Sequence, residues 1–257
     1  MATWTTFPHV GEFNFSIASL QENWGRLHQS DGEKLPQEKA VLQAWAWFHN
    51  GEFQKAADAG VKAGGSGLNV ANKATSVYAN YLEVREKAKF ELFMEVARRA
   101  EAQQASEPQN ATAYYWQAYA LGRYSQGLSV AKALAQGLGN KVKNALEYAI
   151  KLSPKDADAY IALAVFHAEV IDKVGPLVGG MAYGAKKEVG LSLFEEGIKL
   201  NPDSAMGLIE YANGLMMLEG DKKMKEATRL YQQAAASKPM DARERLDVNL
   251  AKAELEY

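Results

Sequence analysis

Four prolines stand behind the same kind of segment, and their spacing constrains the fold of this chain more than any other feature. Helix-like runs end in Glu107-Pro108, Leu152-Ser153-Pro154, Leu200-Asn201-Pro202 and Ser237-Lys238-Pro239, at intervals of 46, 48 and 37 residues. Small or acidic clusters follow, such as Asp156-Ala157-Asp158 and Asp203-Ser204-Ala205. A proline cannot continue a helix, and a short acidic or hydroxyl residue caps the next one, so each punctuation mark reads as stop and restart. Self-similarity of this kind points to stacked structural repeats.

The residues between the prolines agree. Ten positions after three of them lies an alanine, Ala118, Ala164 or Ala212. Large residues flank each: Tyr114 and Leu121, Tyr160 and His167, Leu208 and Leu215. A small residue there lets two helices approach closely while its neighbours one turn away fill the interface. Upstream of Pro202 the small, aromatic, small set is Gly190, Phe194, Gly197, and upstream of Pro239 it is Ala227, Tyr231, Ala234. Near the N-terminus Asn50-Gly51-Glu52-Phe53-Gln54-Lys55-Ala56 supplies an inter-helix turn, with Ala44 and Trp47 before it. These residues resemble the tetratricopeptide repeat (TPR), a helix-turn-helix unit of roughly 34 residues. The resemblance covers most of the chain from about residue 37.

The extra length lies in the turns. The small-to-small distance is 12 from Ala44 to Ala56, but 24 from Ala118 to Val142, 26 from Ala164 to Gly190 and 15 from Ala212 to Ala227. Two insertions, 125–139 and 173–187, are long and alike in glycine and apolar content. Repeats stack in register, so insertions at equivalent points emerge side by side on one edge.

The expected fold is therefore all-α: a right-handed α-solenoid of about five TPR-like antiparallel helix pairs plus terminal helices. The pairs fall at roughly 37–64, 70–106, 111–152, 157–200 and 205–237. Residues 1–36 form an N-terminal segment with one packing helix, capped by Ser16 and showing Ile17, Leu20, Trp24 and Leu27 on one face. Residues 37–240 form the solenoid, and 241–257 a charged C-terminal capping helix. Forty-two alanines suit close helix packing, and nothing reads as a period-two strand.

Composition removes whole classes of function. Without cysteine there is no disulfide, thiolate metal site or thiol nucleophile. A net charge of -2 gives no basic footprint for nucleic acid. The longest uncharged stretch, Pro108 to Gly122, is 15 residues and too polar to cross a bilayer. No basic, apolar leader opens the chain, so the expected location is cytoplasmic, or exported if a leader has been removed. His9, His28, His49 and His167 are at least 19 residues apart, which excludes a local metal pattern. His167 falls on an inward position and reads as a packed imidazole. Gly179 to Lys187 imitates a phosphate loop, but it ends Gly-Ala-Lys-Lys and no strand precedes it. Ser129-Val-Ala-Lys132 matches a common pattern whose companions are missing. No catalytic residue, metal ligand or cofactor is assigned.

Tyr115 to Ala120, the long insertion after it, Ala145 to Pro154 and the Leu193 to Ile198 run are similar to a divergent TPR branch. That branch holds the regulators of microtubule dynamics and the T component of tripartite periplasmic (TRAP) transporters. The resemblance implies a non-enzymatic adaptor or, as in the transporter component, a carrier with an apolar ligand channel. It also implies a concave groove lined by first helices. In this sequence the matching positions are Tyr115, Tyr119 and Arg123, then Ile161, Val165 and Glu169, then Ile209, Asn213, Met216 and Met217. The expected function is a protein-protein interaction scaffold that binds a peptide or helix in this groove. The alternative is a carrier of a small molecule or lipid, with both insertions covering an apolar pocket.

Overall fold

The computed structural model describes residues 3–256. All regular structure among them is helical: α1 Ile17–Leu27, α2 Lys39–His49, α3 Phe53–Ala63, α4 Gly67–Tyr81, α5 Glu86–Ser106, α6 Ala111–Gln126 and α7 Val130–Ala135. Then come α8 Leu138–Leu152, α9 Ala157–Tyr183, α10 Lys187–Leu200, α11 Ala205–Glu219, a 3-10 turn Gly220–Lys223, α12 Met224–Ala236 and α13 Ala242–Leu255. Local chemistry explains the starts. Ser16 and Ser19 form a reciprocal capping box for α1, and Asp156, Ser204 and Asp241 each accept a backbone N–H at the starts of α9, α11 and α13.

The helices pair as the spacing predicts: α2 with α3, α4 with α5, α6 with α8, α9 with α10, α11 with α12. Both insertions carry helix. The first contains α7; the second prolongs α9 through a break at Gly175 (φ 79°, ψ 159°), after which Pro176 restarts the helix. That φ belongs to the left-handed half of the map, where glycine is at ease, and the proline sits in the first turn, where its missing N–H is harmless.

The first helices of the pairs form an inner layer. Along it α2 touches α4, α4 touches α6, α6 touches α9, α9 touches α11 and α11 touches α13. Helix α13 then touches α2, so the inner layer closes on itself. The N-terminal segment fastens this closure: Arg26 pairs with Glu244 at 2.7 Å, Glu12 with Arg245, and Asn249 meets His9 at 2.9 Å. At its heart His49 Nδ1 lies 2.6 Å from Asp241 Oδ2, with neither residue more than 3% exposed. The C-terminal helix thus covers the last pair and also joins the two ends of the chain.

Helices α3 and α4 approach so closely that backbones meet. A Cβ on Gly67 would stand 2.7 Å from the Gly60 carbonyl oxygen, and one on Gly60 would collide with the Gly67 carbonyl. Backbone cannot swing aside as a flexible side chain does. Gly60→Ala gains up to about 1 kcal/mol of helix propensity and loses about 1–3 kcal/mol to overpacking. The expected outcome is a net loss of stability, read as a lower urea midpoint at unchanged slope.

Candidate functional site: a cavity in the concave face

Tyrosines and one tryptophan on α6 set the character of the inner face. Tyr115, Trp116 and Tyr119 pack edge-on or tilted against one another with centroids 4.9–6.1 Å apart. Opposite them α9 presents Ile161, Val165 and Phe166, α8 contributes Val142 and Leu146, and α4 adds Val77 and Tyr81. Together they line a partly open cavity of about 180 Å³. Leu128, Val130 and Ala133 from the first insertion and Lys173, Val174 and Tyr183 from the second complete its wall. Stacking in register predicts neighbouring insertions, and here both reach one space.

Charged groups interrupt this apolar wall in three places. Arg123 reaches Glu210 of α11 at 2.7 Å and lies 5.2 Å from the centre of the Tyr119 ring. Burial opposes its charge, yet Tyr119 and Glu210 outweigh that and hold the guanidinium protonated. Near the first insertion, Gln126 Nε2 donates to Glu169 at 2.5 Å, and Lys173 pairs with Glu169 at 3.4 Å. At the far end, Arg243 of α13 stands between Asp158 at 3.8 Å and Asp247 at 3.4 Å. The Tyr81 hydroxyl donates to Asp247. Burial raises both carboxyls, Asp247 to about 6, against the pull of Arg243.

The connection between α1 and α2 lies across the N-terminal ends of the inner helices. Glu33 accepts from Asn69 of α4 at 2.9 Å and from Thr112 of α6 at 3.0 Å, and the Ser30 carbonyl accepts from the Asp158 N–H of α9 at 3.2 Å. Helix α13 is seated on α11 and α2.

No protein-family model matches the sequence, and no curated protein matches it. Among solved structures it is similar to the crystal structure of TTC0263, a thermophilic TPR protein in Thermus thermophilus. The TM-score is 0.58 at 14% identity, over 83% of this chain and 97% of that one. The fold is TPR-like.

Six of the ten residues expected to line the groove of this TPR-like solenoid meet in the cavity: Tyr115, Tyr119, Arg123, Ile161, Val165 and Glu169. The four from the last unit do not. Ile209 is 2% exposed in the core between α11, α12 and α13, and Met216 packs on that core. Asn213 accepts a hydrogen bond from the Tyr231 hydroxyl at 2.6 Å, and Met217 faces outward at 37% exposure. The reason is geometric: the cavity meets α11 only along its first two turns, through Met206, Gly207 and Glu210. A signal for this existed. Trp116, Ala162 and Glu210 all sit two residues before the repeat's alanine, and Asp158 and Met206 six before it.

Among the described residues no group of three or more His, Asp or Glu is placed to hold a metal, and no helix is long and apolar enough to cross a membrane. His167 is buried and its Nδ1 accepts the Lys186 N–H at 3.0 Å. Burial, helped by Lys143, lowers it to about 4. Its imidazole is thus neutral at pH 7 and serves the junction between α9 and α10. The glycines at 179 and 180 lie inside α9.

Proposed function

We propose that this chain is a non-enzymatic carrier of a small, largely apolar molecule, held in the cavity between α6, α8, α9 and α11. The observation that carries the reading is that both insertions contribute wall residues to one aromatic-lined space. A pocket with apolar walls and a few convergent polar groups is the usual form of a small-molecule site. The size is suitable: a dry cavity of about 150 Å³ holds a benzene. The resemblance to the divergent TPR branch with apolar-channel carriers supports the same direction, and cytoplasmic residence belongs to this proposal. Native mass spectrometry of the protein, compared with its denatured mass, should reveal a bound small molecule. A bare native mass, with no saturable binding of benzyl alcohol seen by NMR, would overturn the reading.

A second reading is a scaffold that holds a partner peptide or helix in the groove. It draws on α13, a helix that the inner face already accepts. On that reading Tyr119→Ala abolishes capture of the partner while helicity is unchanged.

A further inference from the structure

The cavity wall carries three cationic and three anionic side chains, but they are unevenly partnered once Asp247, just behind the wall, is counted. Arg123 and Glu210 form a closed pair at 2.7 Å, and Glu169 and Lys173 form another at 3.4 Å. At the far end one guanidinium, Arg243, answers two carboxylates, Asp158 and Asp247. Fully ionised, that end carries one negative charge in excess. The two acids are not equivalent. Asp247 accepts from the Tyr81 hydroxyl and is 2% exposed, outside the cavity wall. Asp158 belongs to the wall, and its guanidinium partner at 3.8 Å lies beyond hydrogen-bonding distance.

The aromatic groups meet at the same end. The Tyr81 hydroxyl and Arg243 share Asp247, and Tyr81 and Tyr115 line the cavity together with Asp158 and Arg243. Tyr119 lies 6.1 Å from Tyr115, centre to centre. A ring face carries partial negative charge and attracts a cation most strongly where water is excluded. An anion would fare badly there. Each guanidinium already faces a carboxylate of its own, and a bound anion would add to a negative excess.

We infer that the cavity takes a small organic cation, an ammonium group carried on an aryl or short alkyl body. Its charge rests on the Asp158 carboxylate and its apolar part against Tyr115, Trp116 and Tyr119. This rests on the carrier reading above and adds the class of molecule carried. A monocation brings the far end to neutrality, while the rings and the aliphatic wall of α9 accept the remainder.

Three ligands of nearly one shape separate the claims: benzylamine, benzyl alcohol and benzoate, titrated into the full chain at pH 7.5. The Trp116 indole N–H resonance reports occupancy. Benzylamine is expected to bind at least tenfold more tightly than benzyl alcohol, and benzoate more weakly than either. Asp158→Asn is expected to erase the amine's advantage while alcohol binding stays within twofold, which shows that the cavity is intact. If that variant no longer binds the alcohol, Tyr115→Leu replaces it, with the amine preference expected to fall several-fold. Alcohol or benzoate binding as tightly as the amine overturns the cation and leaves the carrier standing. An amine preference that survives both substitutions removes the assigned site. No shift with any of the three overturns the cation and counts against the carrier itself.

Discussion

Asp241→Ala is expected to cost about 3–5 kcal/mol of stability, because it removes a buried carboxylate and leaves its partners without one. Asp241 performs two tasks at 3% exposure. Its Oδ1 accepts the Glu244 N–H at 2.7 Å and so caps α13. Its Oδ2 meets His49 Nδ1 at 2.6 Å and so ties α13 to α2, 192 residues earlier. The cap alone is worth about 1 kcal/mol, so Asp241→Asn, which keeps it, should lose measurably less. The measurement is the urea midpoint of each variant. Equal losses for Ala and Asn would place the whole effect in the contact with His49.

The contact belongs to a longer chain of groups. His28 Nδ1 faces Asp31 at 3.0 Å, His28 Nε2 faces His49 Nε2 at 3.3 Å, and Lys73 Nζ reaches Asp31 at 2.5 Å. Each Nδ1 donates to a carboxylate, so only one of the two facing Nε2 atoms can carry a proton if they are to bond. Lys73 set against Asp31, and imidazoles bonded to both Asp31 and Asp241, are what let these buried groups tolerate the loss of water. Acid breaks this arrangement. Burial lowers His28 from 6.5 to about 4, although Asp31 pulls the other way. Between those values the unfolded chain binds more protons, and stability falls as pH drops. Burial pushes Asp31 and Asp241 up, but Lys73 and the histidines outweigh it and hold both below the usual carboxylate value. Their contribution is present above about 3.8 and is lost as pH falls through their lower folded values.

Several acids act in the opposite sense, Asp156 and Asp158 by burial and two others more measurably. Burial and the nearby Asp31 charge raise Glu33 from 4.5 to about 7, against its bonds from Asn69 and Thr112. Burial raises Asp247 from 3.8 to about 6. Each binds more protons when folded, so its contribution is full below its unfolded value and declines as pH rises through its folded one. The opposing trends offset between about pH 4.5 and 6. The urea midpoint should therefore fall steeply below about pH 4 and gently as pH rises from about 6.5 past 7. In Asp241→Ala the acid limb should be shallower.

Much of this architecture was legible because its signals are local. Prolines and capping residues mark helix ends within a few positions, and Ala118, Ala164 and Ala212 recur at one offset because helix crossings demand small side chains there. The inner layer's closure was not legible. His28 and His49 look unrelated at a separation of 21 residues, and Asp241 is only the first residue of a charged terminal helix. Only the curvature accumulated over five helix pairs brings α13 back to α2. The site divided along the same line. Residues on α6 and α9 follow the repeat's register into the cavity, whereas on α11 the register holds but the cavity ends early, which leaves Ile209 and Met216 to the core.

Phe194→Ala is the second large loss expected, at about 3–5 kcal/mol, and it tests whether closure couples the repeats. Phe194 is fully buried where α9, α10 and α11 meet, among Ile161, Ala164, Ala168 and Leu218. Its ring stacks on Tyr211 with centroids 5.2 Å apart and planes at 17°, and it fills the space that Gly214 leaves open. Truncation leaves a void that these backbones cannot collapse into, whereas Phe194→Leu should cost less than about 1.5 kcal/mol. Tyr231, in the equivalent slot of the next pair, is only half-buried, so Tyr231→Ala should cost less than Phe194→Ala. In an open solenoid each repeat leans only on its neighbours, and a defect at one junction lets the two sides melt apart. Here α13 links the last pair to the first, so the halves cannot separate without also breaking the His49 and Asp241 contact. Phe194→Ala should therefore unfold in a single transition at a lower urea midpoint. In the double variant with Asp241→Ala the far-ultraviolet circular dichroism curve should split in two. A split already present in the single variant would mean that the contact between α13 and α2 carries no coupling.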